Sequence, residues 1–295
     1  MKASRLALLL LAACSTPAPR QPAPGTRWSE PTPRRILVGE RERDYLLFVP
    51  NACRERTAWP LVLVLHRRGG SAAQAARDYG LRELAEREGF VVAYPEAKTP
   101  WAWSAGGLPL GDPAADLAFL VALLDALASE LPIDARRVYC CGHSSGGIMT
   151  YALAAHAPER LAAIGVVAGS IGARGQRGQR LPAGAPVPLL HVHGTGDEQI
   201  PYDRAHAAGA RFDFFVDAPD SAAAWAARNG CTSVEHEERA GGRHRIDRHR
   251  GGGDVELHTL VDGPHAWPVG AASPGGTPFD AAAELWRFFR DHPRP

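Results

Sequence analysis

A serine flanked by glycines is the strongest chemical motif in this sequence. Gly142-His143-Ser144-Ser145-Gly146 fits the pattern G-x-S-x-G, in which the serine occupies a tight turn between a strand and a helix. Such a strained turn needs small residues on both sides of the nucleophile. Ser144 is therefore a candidate nucleophile, and the main-chain N–H of Ser145 is a candidate donor to the oxyanion. The alternative is a glycine-rich turn that carries two surface serines.

A serine nucleophile needs a base, and the base needs an acid to orient it. Asp197 and His265 each follow a predicted strand, and they complete the chain order Ser…Asp…His. His265 would accept the Ser144 proton and return it to the leaving group, while Asp197 would hold the imidazole. For Asp197 the alternative is a turn residue, and Glu198 and Asp203 are competing acids.

The elements that must position these side chains alternate between strand and helix. The pattern predicts strands at 45–49, 61–65, 90–94, 138–141, 164–168, 189–192 and 255–261, and helices at 72–86, 116–131, 149–155, 221–228 and 279–289. Asp116 is the predicted cap of the second helix. This alternation predicts one α/β domain with a mostly parallel central sheet and helices on both faces. Catalytic groups in such domains lie at the carboxyl ends of strands.

Composition narrows the class of protein. The chain has 295 residues, 45% of them hydrophobic, which suffices for one large core or two small domains. The net charge of +1 at pH 7 does not indicate a nucleic-acid partner. The arginines between Arg239 and Arg250 could form a basic patch, but flanking glycines favour a solvated loop.

Histidines and cysteines give weaker signals. His191 and His193 alternate on a strand and could bind a metal, but no cysteine or acidic cluster joins them, so no metal is predicted. Cys140 and Cys141 lie on a predicted buried strand and are interpreted as packed thiols. Whether Cys53 pairs with Cys231 is left open, since sequence alone gives no geometric warrant.

The first 34 residues are predicted to lie outside the fold. Residues 1–13 have a basic start and a short apolar stretch, which is typical of a signal peptide. Leu11-Ala12-Ala13-Cys14 resembles a bacterial lipobox, so Cys14 is the predicted lipidation site and membrane anchor. Residues 14–34 are proline-rich and predict a tether, and 35–295 form the domain. An exported lipoprotein is expected, in the periplasm or at the cell surface; the alternative is a secreted protein with a chance cysteine.

Several stretches together carry a family resemblance. They are Arg43-Asp44-Tyr45, Pro60 to Gly70, Trp101-Ala102-Trp103, Asp116 to Leu120, Ile133 to Tyr139, the serine motif, His193 to Asp197 with Pro201-Tyr202, Trp225 to Cys231, and His265 to Pro268. On these residues the chain resembles the polyhydroxybutyrate-depolymerase-like and feruloyl-esterase-like secreted α/β-hydrolases. The resemblance implies a Ser144–Asp197–His265 triad and hydrolysis of carboxylic esters without a cofactor.

The resemblance also assigns secondary site residues. The second oxyanion donor should come from the loop 66–70, and it maps to the main-chain N–H of Arg68. Arg67 stands where the family usually has glycine, so it could crowd the oxyanion hole or favour an anionic substrate. Trp103 and Trp267 could line the substrate pocket, or they could be core or rim residues.

Three functions remain open from sequence. The first is a serine esterase acting on feruloyl, acetyl-xylan or hydroxyalkanoate-type esters. The second is a serine peptidase, which would use the same triad but usually needs a further recognition element. The third is a catalytically silent binding lipoprotein on a hydrolase fold, which the intact triad disfavours.

Overall fold

The central element is one sheet whose middle strands are parallel. The computed structural model describes residues 30–98, 103–104, 112–172, 181–206, 215–270 and 278–295. Within these ranges the strands are β1 (Thr32–Val38), β2 (Arg41–Phe48), β3 (Trp59–Leu65), β4 (Val91–Pro95), β5 (Ile133–His143), β6 (Ala163–Val167), β7 (Leu189–Gly194), β8 (Ser233–Arg239), β9 (His244–Arg250) and β10 (Val255–Leu260).

The strand order is β1-β2-β4-β3-β5-β6-β7-β10-β9-β8. Every pair from β4 through β10 in this order is parallel, whereas β1 and β2 at one edge and β9 and β8 at the other pair antiparallel. The carboxyl ends of the parallel strands therefore meet at one edge of the sheet, where ligands bind in open α/β sheets.

Helices cover both faces of the sheet. They are α1 (Ala72–Asp78), α2 (Leu81–Glu88), α3 (Pro113–Glu130), α4 (Ser145–His156), α5 (Ala218–Arg228) and α6 (Ala281–Asp291). Side chains alternate across a strand, so Leu61, Leu63 and Leu65 pack with α3, α4 and α5, while Val62 and Val64 pack with α1, α2 and α6. The predicted α/β fold, mostly parallel with two covered faces, is confirmed.

The start of the domain and the first helices differ from prediction. β1 begins at Thr32, before the predicted domain start at residue 35, so the end of the predicted tether belongs to the sheet. The single helix predicted at 72–86 is two helices, because Gly80 has a φ of +74° and separates α1 from α2. These differences arise where one residue's backbone conformation or an edge pairing decides the boundary.

Asp116 does not cap α3. Asp112 is the N-cap, its side chain accepts the Ala114 N–H, and Pro113 occupies the first helical turn. Asp116 lies one turn further on and is buried, where its carboxylate accepts a 2.7 Å hydrogen bond from Arg43 and another from the Ser104 main chain. A cap and a buried ion pair share the same residue type, so sequence alone did not distinguish them.

The sequence favours a solvated loop for the arginine-rich stretch 239–250, but the structure shows strands there. It contains the end of β8 and all of β9, which form the charged edge of the sheet. Its side chains pair with acids: Arg248 binds Glu237 and Glu256, and Arg250 binds Asp254 and Glu256. Charged side chains protect an exposed sheet edge from pairing with other chains, and here they obscured the strand alternation.

The N-terminal predictions lie largely outside the described residues, which begin at Glu30; these are the signal peptide, the lipid site at Cys14 and most of the tether. Among the described helices, none is both long and apolar enough to cross a membrane. Cys140 and Cys141 are fully buried free thiols, as predicted. Cys53 and Cys231 are also free, and Cys231 Sγ contacts the Gly253 carbonyl at 3.2 Å.

Candidate active site

Ser144 occupies a strained turn between β5 and α4. Its φ of 56° and ψ of −119° lie outside the regions that non-glycine residues favour. A Cβ on Gly142 would lie 2.4 Å from the carbonyl of Gly146, and one on Gly146 would lie 2.3 Å from the carbonyl of Leu65. Both positions therefore require glycine, and the strain is the kind that concentrates at functional sites.

Three side chains from distant parts of the sequence form a hydrogen-bonded line. His265 Nε2 lies 2.9 Å from Ser144 Oγ, and His265 Nδ1 lies 2.7 Å from Asp197 Oδ2. Because a carboxylate only accepts, Nδ1 carries the proton and Nε2 is free to accept the serine hydroxyl. The contacts span 121 and 68 residues of chain, and they meet where β5, β7 and β10 end.

Asp197 is held as a carboxylate. Its Oδ1 accepts the main-chain N–H groups of Gln199 and Ile200, each at 2.8 Å. Burial by itself would raise the pKa of Asp197, but hydrogen bonds from His193 and His265 outweigh burial and hold it well below its ordinary value. Asp197 is thus ionised throughout the neutral range.

The two competing acids lie elsewhere. The Asp203 carboxylate accepts a 2.6 Å hydrogen bond from His206 and is partly exposed, and Glu198 is exposed. Asp197 is the acid that contacts His265.

The candidate oxyanion donors come from two neighbouring segments. Ser145 is the first residue of α4, so its N–H has no helical acceptor and lies at the positive end of the helix dipole. In the loop after β3, Gly70 N–H donates to the Arg67 carbonyl and closes a turn, and Arg67 and Arg68 are exposed. The arginine side chains therefore extend toward solvent from this turn.

The two tryptophans expected to line a substrate pocket are packing residues. Trp103 is completely buried, and its indole N–H donates to the His66 carbonyl at 3.0 Å. Trp267 is 7% exposed, stacks on Tyr79 with ring centres 4.3 Å apart, and donates to the Tyr79 carbonyl. Both indoles support loops of the site, since their polar N–H groups find main-chain partners inside the protein.

Two residues near the nucleophile were missed from sequence. Tyr79 connects to the serine motif, because its hydroxyl lies 3.3 Å from His143 Nδ1. His143 is buried beside His265, with ring centres 5.2 Å apart, and burial holds its pKa well below the ordinary value. His143 is thus neutral at pH 7. No sequence pattern marked Tyr79, whereas His143 is inside the serine motif.

The histidine pair considered for metal binding has other partners. His191 Nε2 lies 3.2 Å from His193 Nδ1, and His193 Nε2 faces the Ile200 carbonyl at 2.9 Å. In the part of the chain that the structure describes, no three or more His, Cys, Asp or Glu side chains are grouped to hold a metal ion.

A strained serine between a strand and a helix, with aspartate and histidine after later strands of a parallel sheet, defines the α/β-hydrolase class. Residues 43–177 match the family model described as Esterase PHB depolymerase. The resemblance predicted from sequence is confirmed.

The names of curated relatives and of a similar solved structure also contain the word esterase. NocK of Nocardia uniformis subsp. tsuyamanensis, named as an esterase, is 35% identical over 66% of this chain and 56% of its own length. A protein of Aspergillus flavus named as feruloyl esterase C is 26% identical over 84% of each chain. The acetyl xylan esterase structure from Aspergillus awamori superposes with a TM-score of 0.66 at 15% identity, covering 88% of this chain and 99% of that one.

The overlap with these relatives is partial. The chain spans 56% of the length of NocK and 22% of the bifunctional acetylxylan esterase/xylanase XynS20E of Neocallimastix patriciarum, to which it is 30% identical over 55% of its own length. The structural likeness, at low identity, shows the fold.

Proposed function

We propose that this protein is a serine esterase that hydrolyses carboxylic esters through an acyl-enzyme. The observation that carries the proposal is the line from Ser144 Oγ through His265 to Asp197, with contacts of 2.9 and 2.7 Å. Side chains at these distances can transfer a proton without rearrangement. The esterase names of the relatives support the same reaction class.

In the proposed reaction Ser144 Oγ attacks the ester carbonyl while its proton passes to His265 Nε2. The tetrahedral oxyanion is stabilised by main-chain N–H groups, of which Ser145 is one and Arg68 is the second proposed donor. His265 then gives its proton to the leaving alcohol, and an acyl-Ser144 ester remains. A water molecule, deprotonated by His265, releases the acid and restores the serine. Asp197 stays ionised and stabilises the imidazolium.

The test is a burst experiment with p-nitrophenyl acetate. The expected result is a rapid release of p-nitrophenol equal to the enzyme concentration, followed by slower turnover, because this activated ester acylates the serine faster than the acyl-enzyme is hydrolysed. Ser144→Ala should abolish the burst, and Ser145→Ala, which keeps the main-chain N–H, should retain it. A parent protein without a burst or turnover on any ester would identify a binding protein on a hydrolase fold. Cleavage of an anilide faster than the matching ester would favour a peptidase.

For the substrate, we propose feruloyl or acetyl-xylan esters, with hydroxyalkanoate-type esters as the alternative. The relatives named as feruloyl and acetylxylan esterases support the first choice, and the name of the matching family supports the second. A panel of methyl ferulate, acetylated xylan and hydroxybutyrate oligomers, compared by kcat/KM, distinguishes them. A preference of tenfold or more for one of them, about 1.4 kcal/mol, would define the substrate class.

We also propose export with a lipid anchor on Cys14, which rests on residues 1–14 alone. Full-length protein expressed in a bacterium should partition with membranes. Cys14→Ser should release it, and a variant that stays on membranes would contradict lipidation.

A further inference from the structure

A line of buried side chains leads from Asp197 into the core. His193 Nε2 lies 3.2 Å from Asp197 Oδ2, and His193 Nδ1 lies 3.2 Å from His191 Nε2. His191 Nδ1 in turn lies 3.0 Å from the Tyr151 hydroxyl. The side chains of His191, His193 and Tyr151 are at most 1% exposed. The contacts of the proposed triad thus continue through three more side chains.

The partners at each atom fix where the protons are in the neutral state. His193 Nε2 faces two acceptors, the Ile200 carbonyl at 2.9 Å and the Asp197 carboxylate, so this nitrogen carries a proton. His193 Nδ1 then accepts, which requires an N–H on His191 Nε2. His191 Nδ1 accepts in turn, so the Tyr151 hydroxyl donates to it. Every donor in the line points toward Asp197.

This arrangement of protons determines the contacts of one carboxylate oxygen, Asp197 Oδ2. Asp197 Oδ2 accepts the His265 Nδ1–H at 2.7 Å and shares the His193 Nε2–H, at 3.2 Å, with the Ile200 carbonyl, while Oδ1 is occupied by two main-chain N–H groups. A carboxylate with donors on both oxygens cannot rotate without losing one of them. His193 therefore restrains the oxygen on which His265 depends.

We propose that His193 is a positioning residue for the esterase reaction, holding Asp197 Oδ2 in line with His265, with His191 and Tyr151 fixing the tautomer of His193. The inference rests on the proposed function, because it concerns the same site. While His193 donates to Oδ2, it offsets part of the negative charge of Asp197, so that less of this charge stabilises a protonated His265. Loss of His193 should therefore concentrate the carboxylate charge on His265 and favour the imidazolium.

The titratable groups that face His193 and Asp197 come from several elements. They are His191 and Tyr151 from β7 and α4, His265 from the loop after β10, Tyr202 from the loop after β7, and His143 from the end of β5. The acid limb of the rate profile reports protonation of His265, since its neutral form is the base.

The first experiment compares pH profiles of kcat/KM on p-nitrophenyl acetate. His193→Phe should move the acid limb to higher pH by about half a unit to one unit. It should also lower kcat about tenfold, because the orientation of the base is relaxed. His193→Gln, whose amide N–H can donate, should restore most of both. An unchanged acid limb in both variants, with activity lost only in proportion to folded protein, overturns the proposal.

A matched tyrosine pair tests the far end of the line. Tyr151→Phe removes the donor to His191 and should shift the acid limb in the same direction by a smaller amount. Tyr139→Phe is the control, because the Tyr139 hydroxyl is buried without a hydrogen-bond partner among the described residues. Equal shifts of the acid limb in Tyr151→Phe and Tyr139→Phe would overturn the proposed role of Tyr151 and His191.

A measurement without turnover separates this inference from the proposed function. The far-downfield proton resonance of His265 Nδ1–H, recorded by NMR, should move in His193→Phe and return toward the parent position in His193→Gln. If no ester is hydrolysed, the proposed function fails, but the resonance still tests the link between His193 and His265. A resonance that ignores His193 overturns the inference even in an active esterase.

Discussion

Gly146 packs directly against the main chain of Leu65, with no room for a side chain between them. An added Cβ would lie 2.3 Å from the Leu65 carbonyl oxygen and 2.7 Å from that of His66. Leu65 ends β3, and Gly146 lies in the first turn of α4. This contact therefore sets the distance between the candidate nucleophile and the loop 66–70.

Gly146→Ala is expected to push these two segments apart. We expect a loss of about 10²-fold in kcat/KM, the effect of misplacing reacting groups by about 1 Å. The free energy of unfolding should fall by about 1–3 kcal/mol from overpacking. Gly39→Ala is the control, since no atom lies within 4 Å of its added Cβ and only its positive φ is strained. Ester hydrolysis by p-nitrophenol release and thermal unfolding measure both effects; a fully active Gly146→Ala would contradict the close contact.

Asp197→Asn is expected to lower kcat by about 10⁴-fold, because the amide favours the wrong tautomer of His265. The fold should persist, since Asn retains an acceptor for the main-chain N–H groups of Gln199 and Ile200. Asp203→Asn is the matched control, because Asp203 pairs with His206 rather than with His265. If the two variants lost activity equally, the acid would have been assigned to the wrong aspartate.

Arg67 is expected to favour esters that carry a negative charge. Its guanidinium is exposed in the loop after β3, and among the described residues it forms no ion pair with a carboxylate, donating only to the Arg68 carbonyl. Arg67→Ala should lower kcat/KM on p-nitrophenyl hydrogen succinate by up to about fivefold, the scale of an exposed ion pair at about 1 kcal/mol. Activity on p-nitrophenyl butyrate should stay unchanged.

Arg77→Ala controls for the loss of positive charge, since Arg77 lies on α1 and pairs with Asp78. The preference for the anionic ester should weaken as salt is raised. Identical effects of Arg67→Ala on both esters would show that the guanidinium does not read substrate charge.

The lowered pKa of Glu256 predicts how the free energy of unfolding depends on pH. Burial opposes its charge, but His258 and the guanidinium groups of Arg248 and Arg250 outweigh burial and lower the pKa of Glu256 to about 2. A depressed pKa in the folded state gives stability that is present above the unfolded value and lost as pH falls toward 2. The contribution at neutral pH is about 3 kcal/mol, at about 1.4 kcal/mol for each unit.

Urea unfolding at pH 7 and pH 3 measures this contribution. The parent should lose more stability between the two values than Glu256→Gln does, because the variant has no carboxylate to protonate. Glu198→Gln, at an exposed position, should follow the parent. Parallel pH dependences for the parent and Glu256→Gln would refute the assignment.

Prediction from sequence succeeded where a feature depends on neighbours along the chain. The buried strands such as β3 and β7, the tight turn at Ser144 and the alternation of strand and helix all follow from local patterns. Prediction failed at β8 and β9, whose charged side chains find partners on neighbouring strands, and at Asp116, whose guanidinium partner Arg43 is 73 residues away.

The two tryptophans show the same difference between what neighbours along the chain determine and what tertiary contacts determine. Sequence identified Trp103 and Trp267 as aromatic residues in candidate loops but could not orient them. The structure turns each indole inward because a main-chain carbonyl, of His66 or Tyr79, is available to its N–H. Burial with a satisfied donor is favoured over exposure of so large an apolar surface.

The sequence by itself determined the fold class, the family resemblance and the candidate triad of Ser144, Asp197 and His265, because glycine spacing, apolar runs and chain order are local signals. Only the tertiary structure decided that His193 faces Asp197, that Tyr79 reaches His143 and that Gly146 abuts Leu65. Those contacts depend on the register of neighbouring strands and on the path of loops. Packing of the whole domain fixes both, since no local segment carries enough free energy to specify them.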